Sequence, residues 1–291
     1  MSDNIILIKP MYPCQAVPVV VFGKRCPKPC LYCDLNRRQF ASDQIIASGR
    51  KETLRNLQKF KGAYFSAVAD CFLPANCGLT HYLLEHTWKR KENFVPLIVT
   101  KQVIPSKSIK LLIKNKHRVV VQISLPCLNQ KLLSLLEPGA APITKRLEVI
   151  KKLIRGDVPV IVVVMPWFDI YEKNESIEDL PRVLSRIGVK RCIIGTGVLP
   201  EPQKQRIVDL NNKLILKAIS KMTVTKQVTT KLGYTLPFKK RIPAFCRLIN
   251  AFHKFGIKAR ICTADNLDLI NKTRLPLCTE FRHNLFRKNK D

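Results

Sequence analysis

The sequence predicts an α/β protein: a partial, six-unit (β/α) barrel of the TIM type, followed by a helical, basic extension. Three observations carry this. Six short apolar runs, rich in β-branched residues, alternate with amphipathic segments. The runs are apolar along most of their length, the pattern of strands buried on both faces in a parallel sheet. Polar residues recur just past the ends of successive runs, where a β/α barrel builds its site. A doubly wound sheet fits the periodicity equally well; the placement of the polar residues favours the barrel.

The first strand is VPVVVF (17–22), followed by a cysteine-rich loop and a helix from about Asp43 to Phe60. AYFSAV (63–68) is the second, with a helix near Leu79 to Lys91. PLIVT (96–100) precedes a helix over Ser106 to Asn115, and RVVVQIS (118–124) precedes helices over Gln130 to Leu136 and Thr144 to Arg155. VPVIVVV (158–164), a helix near Ser176 to Ile187 and RCIIGT (191–196) complete six units. Residues 1–200 form this core. In 201–291, the extension packing on it, helices are expected near Pro202 to Met222 and Pro243 to Phe255, with a late strand at IKARICT (257–263).

The loop GKRCPKPCLYCDL (23–35) places Cys26, Cys30 and Cys33 within eight residues. Pro27 and Pro29 break any helix there, because proline lacks a backbone donor and disfavours helix before it. The side chains are expected to curl inward around a metal. A structural zinc ion takes four protein ligands, and Cys14 is the nearest fourth thiol. An iron–sulfur cubane also normally takes four thiolates; three would leave one iron open for chemistry. With 11 cysteines and no recognisable leader, the thiols are expected to be reduced in a cytoplasmic setting. The longest apolar stretch, Val158 to Phe168, is too short to span a bilayer, so no membrane partner is expected.

The triplet, Cys-x-x-x-Cys-x-aromatic-Cys with Tyr32 as the aromatic residue, resembles the motif of the radical S-adenosylmethionine (AdoMet) enzymes. The resemblance implies that Cys26, Cys30 and Cys33 hold a [4Fe–4S] cluster whose fourth iron chelates AdoMet. It also implies an electron donor such as a flavodoxin or ferredoxin. Further segments resemble the spore photoproduct lyase branch: ADCFLPANCGLTHYLLE (69–85), VTKQ (99–102), VQISL (121–125) and LLEPGAAPITKRLEVIKKL (135–153). By that likeness Lys101 pairs with the AdoMet carboxylate, Ser124 hydrogen-bonds AdoMet and Tyr32 lies near its adenine. Glu137 and Arg146 fall in a recurrent segment that carries no assigned role. The departures are Ala67 in place of that branch's hydrogen-donating cysteine, Ala69 in place of a serine, and Asn76 in place of an acid. Cys71 and Cys77 are the candidate substitute donors.

The formal charge of +30 points to a polyanionic partner, most simply DNA or RNA, although a lysine-rich composition would also produce it. Its clusters are Lys89 to Lys91, Lys114 to Arg118, Lys151 to Arg155, Lys239 to Arg241 and the tail to Lys290; those that bind the target are expected to flank the barrel mouth. Two other readings stand beside a radical enzyme acting on nucleic acid. One is a radical enzyme acting on a peptide or small molecule. The other is a non-catalytic, nucleic-acid-binding protein holding zinc with Cys14, Cys26, Cys30 and Cys33.

Overall fold

The structure is a computed structural model. It describes residues 5–10, 17–33, 39–66, 68–169, 171–173, 175–225, 233–269, 272–278 and 281. Cys14, Ala67 and the basic tail from 282 lie outside the described residues.

In chain order the elements are β1 (Ile5–Ile8), β2 (Val19–Phe22), β3 (Ile45–Ser48), α1 (Arg50–Leu57), β4 (Gly62–Phe65), α2 (Pro74–Arg90), β5 (Val95–Thr100) and α3 (Ser106–Lys114). Then come β6 (Val120–Ser124), α4 (Gln130–Leu136), α5 (Ile143–Arg155), β7 (Val160–Trp167), α6 (Asp179–Ile187) and β8 (Arg191–Thr196). The remainder is α7 (Glu201–Asp209), α8 (Lys213–Ile219), β9 (Thr223–Thr225), β10 (Gly233–Thr235), α9 (Phe238–Lys254) and β11 (Lys258–Ile261).

Nine strands form one sheet in the order β11-β8-β7-β6-β5-β4-β2-β1-β3. From β2 to β11 every pairing is parallel, and these strands succeed one another across the sheet in chain order, with β3 at the other edge and β9 and β10 in a separate pair. This order never reverses. A doubly wound sheet must reverse at a switch point, so the topology is of the barrel kind. The sheet is not closed: β1 and β3 extend one edge, with β1 antiparallel to both its neighbours.

All six predicted parallel strands are present, and β11 is a seventh. The expected helix from Asp43 to Phe60 is corrected: residues 45–48 pair with β1, and only Arg50–Leu57 is helical. The polar stretch after α8 contains the hairpin of β9 and β10. Prolines start five of the helices that run back from the strands' C-terminal ends. Pro105, Pro142, Pro200 and Pro237 cap α3, α5, α7 and α9 with φ between −53° and −58° and extended ψ, and Pro74 opens α2. The ring fixes φ, and its missing donor falls where a helix has no acceptor to offer.

Most of the core lies between the sheet and its helices. A second, separate apolar cluster joins Leu97, Val120, Ile161 and Ile193 of four adjacent strands to Cys262, Cys278 and Phe281. These four strands therefore carry apolar packing of their own, apart from the layer against the helices.

Candidate active site at the strand ends

The cysteine loop leaves β2 and is clamped from three sides. Asn76, buried in the first turn of α2, donates from Nδ2 to the Lys24 carbonyl at 2.8 Å and to that of Asp70 at 3.0 Å. The Leu31 amide donates to the Leu136 carbonyl at the end of α4 (2.9 Å). From α7, Gln203 Nε2 and Arg206 Nη2 donate to the Cys33 carbonyl at 3.2 and 3.4 Å. At Gly139 a Cβ would stand 2.2 Å from the Lys28 carbonyl oxygen. Only glycine lets the segment after α4 approach the loop so closely.

Cys26, Cys30 and Cys33 are unbridged and half-buried on this loop. Burial pushes the Cys26 thiol up and that of Cys30 to about 12, the latter against the nearby Lys101 ammonium, which lowers it. Among the described residues no three His, Cys, Asp or Glu side chains close on a single metal ion.

Asp70 ties two strand ends together. Its Oδ1 accepts from Thr100 Oγ1 (2.7 Å) and the Phe72 amide (2.9 Å), and its Oδ2 accepts from the Lys101 amide (2.7 Å). Burial raises its pKa, opposed chiefly by these donors. The Lys101 carbonyl accepts from the Ala141 amide at 2.9 Å, and Gln102 Nε2 reaches the Gly139 carbonyl at 2.7 Å. Lys101 Nζ lies 5.8 Å from the centre of the Tyr32 ring. Burial works to lower its pKa, but Glu137 and Cys30 outweigh that and the net direction is upward, so the side chain is a cation at neutral pH.

Glu137 and Arg146 acquire a role from the geometry. Both are buried, and Arg146 Nη2 contacts Glu137 Oε2 at 2.6 Å. Arg146 also donates from Nε to the Ala141 carbonyl and from Nη1 to the Ser124 carbonyl, both at 2.8 Å. The other carboxylate oxygen of Glu137 accepts the Tyr32 phenol. Burial, then the Glu137 charge, hold the Tyr32 pKa well above its ordinary value, so the phenol stays protonated as the donor. One ion pair thus joins the cysteine loop to the end of β6.

Cys26, Cys30, Cys33, Tyr32, Lys101 and Ser124 converge at one mouth. Cys71 and Cys77 follow β4 but differ in surroundings. Cys71 is sealed in the core, its carbonyl accepting from Thr80 Oγ1 at 2.6 Å. Cys77 is half-buried on the first turn of α2, with Sγ 3.3 Å from the Pro74 carbonyl. Of the clamping residues, Asn76 was singled out in the sequence only as a departure from the lyase pattern, and Gly139 and Gln203 were not identified as parts of the site. Each acts through contacts that only the folded chain creates.

No family model matches the chain. The uncharacterized protein ORF301 of Acidianus two-tailed virus is 28% identical over 219 residues, covering 75% of this chain and 67% of that one. The fold is that of spore photoproduct lyase. The structure of that enzyme complexed with dinucleoside spore photoproduct aligns with a TM-score of 0.65 at 14% identity, over 87% of this chain and 78% of the lyase. A mutant of it with bound AdoMet and the same dinucleoside aligns with a TM-score of 0.60 at 15% identity, over 80% and 72% of the two chains. The resemblance read from the cysteine triplet and its downstream segments therefore has its counterpart in the architecture.

Proposed function

We propose that the chain is a radical AdoMet enzyme. The observation that carries this is the cysteine triplet on a loop clamped at the mouth of a lyase-like barrel, with the Lys101 cation beside it. The donor set fits a [4Fe–4S] cluster. A cubane offers a different iron to each thiolate, so its three ligands need not crowd around one ion, and the fourth iron remains for AdoMet. When bound, the cluster supplies the electron that cleaves AdoMet to a 5′-deoxyadenosyl radical.

The chain's own residues then have separate tasks. Lys101 pairs with the AdoMet carboxylate as a compact cation with three donors. Ser124, at the end of β6, hydrogen-bonds AdoMet, and Tyr32 flanks its adenine. Of the two thiols past β4, Cys77 has the exposure that a hydrogen-atom donor needs. Lys24, Arg25 and Lys28 are exposed beside the cysteines and suit an acidic flavodoxin or ferredoxin as electron donor. Nucleic acid is the partner that the +30 charge fits.

Lys101→Ala removes one charge-assisted contact, a loss of about 1.5–3 kcal/mol. Equilibrium binding of AdoMet to the reconstituted variant should weaken by roughly ten- to a hundredfold. Unchanged affinity would remove Lys101 from the cofactor site.

A further inference from the structure

The parallel strands sort the chain's turns onto two opposite faces. Turns that bring the chain from a helix into a strand lie at the strands' N-terminal ends; those that leave a strand lie at the mouth. The first group comprises the approaches to β4, β5, β6, β7, β8 and β11, six strands contiguous in the sheet. Counted from the last four helical residues to the first strand residue, these six segments hold sixteen Lys and Arg. They hold only two acids, Glu92 and Asp157. The mouth segments, counted the same way among the described residues and including the cysteine loop and the first turns of α5 and α9, hold sixteen basic and eleven acidic residues. Nearly half of the +30 charge therefore sits on the face away from the site, and the mouth offsets most of its cations with acids.

Most of the predicted basic clusters are on that far face. Lys89 to Lys91 ends α2, Lys114 to Arg118 follows α3, and Lys151 to Arg155 ends α5. The expectation that such clusters flank the mouth fails for these three because helices run antiparallel to the strands they follow. Cations do favour helix C-termini. But each terminus carries about half a unit charge, so six helices call for roughly three cations. Lys89, Lys116 and Lys254 pair with Glu85, Asp157 and Glu178 at 3.2, 2.8 and 2.7 Å. The excess over both demands is large, and Lys61, Arg90, Lys114, Lys152, Arg155 and Lys190 are exposed.

We infer that the N-terminal face of the barrel is a docking surface for the phosphate backbone of a nucleic acid, separate from the active site. This rests only on the nucleic-acid part of the proposed function. Adjacent strands lie about 4.8 Å apart, so the six approaches spread over roughly 24 Å of sheet. A duplex presents one charge per about 1.7 Å of axis along such a span. An anionic membrane is the less suitable occupant. The exposed large apolar side chains among the described residues are Ile45, Val103, Leu135, Val208, Leu210, Val224 and Phe238, and none belongs to these turns. A membrane-seated surface inserts such groups. In this arrangement the chain would be held on a polyanion by one face while its mouth stays open to the reacting group.

The test is fluorescence anisotropy with a labelled duplex and a single strand of the same sequence, over a salt series. Lys152→Glu/Arg155→Glu/Lys190→Glu reverses the far face. Lys107→Glu/Lys239→Glu/Lys240→Glu reverses exposed cations in the first turns of α3 and α9, on the mouth side. Arg241 is left alone because it is buried, with Nη1 at 2.8 Å from Asn266 Oδ1 and a second contact to Asp268. The far-face variant should lower the slope of log K against log salt by about two to three and weaken binding at least tenfold at about 0.1 M. The mouth-side variant should change affinity by less than about threefold. Thermal melting checks folding, and glutamine at the same far-face positions replaces glutamate if reversal prevents it. Loss of binding only in the mouth-side variant overturns this assignment but keeps the nucleic-acid reading. A wild-type protein that binds neither strand form overturns both, as does one that binds only phosphatidylserine vesicles.

Discussion

Glu137→Ala should cost about 3–5 kcal/mol of stability, because it leaves the Arg146 guanidinium buried without its countercharge. Arg146 is 1% exposed and cannot shed its proton, so the folded state would carry an unpaired cation or rearrange around it. For a chain of this size the loss should appear as a fall in melting temperature of roughly 6–15 °C, measured on the metal-free, reduced protein. The converse, Arg146→Met, should cost less. Glu137 can take a proton when its partner is gone, and the methionine fills much of the vacated space. Removing both charges together, as Glu137→Leu with Arg146→Met, should recover part of the loss. Equal melting temperatures for Glu137→Ala and the wild type would show that the pair does not fasten the cysteine loop to β6.

Cys30→Ala should abolish the cluster. The thiol is the middle of three and lies beside Lys101 and Tyr32, and among the described residues the cysteines beyond these three are carried by segments outside this loop. Iron and sulfide bound after anaerobic reconstitution should fall to near background, with the brown charge-transfer absorption lost. Cys192→Ala and Cys246→Ala should keep both, since Cys192 is sealed in the core and Cys246 lies on α9, away from the loop. A full cubane in Cys30→Ala would reject this ligand assignment.

The parallel strands were legible because burial on both faces leaves a largely apolar run, unbroken in Val160–Trp167 and interrupted only by Gln122 before the terminal Ser124 in Val120–Ser124. β3 was not. Its four residues, IIAS, are too short a run to show a strand period, and pairing with β1 makes them a strand that ends at the Ser48-Gly49 break before α1. α9 was expected to begin at Pro243, where a helix often starts, but Pro237 starts it and Pro243 lies inside. In the site, the cysteines, Lys101 and Ser124 were legible as residue types at strand ends. The links were not. Tyr32 meets Glu137 across 105 residues, and Asn76 meets Lys24 across 52; no periodicity encodes either. The basic clusters were visible as runs, but which face they occupy depends on strand direction, a property of the sheet.

The measurement that bears most directly on the proposed function is 5′-deoxyadenosine formation. Protein reconstituted anaerobically with iron and sulfide is reduced with dithionite in the presence of AdoMet, and the nucleoside is quantified by mass spectrometry. Slow release of 5′-deoxyadenosine is expected without added substrate, and none from Cys33→Ala. A protein that carries its full iron and sulfide complement, binds AdoMet and yet forms no 5′-deoxyadenosine would contradict the proposed function.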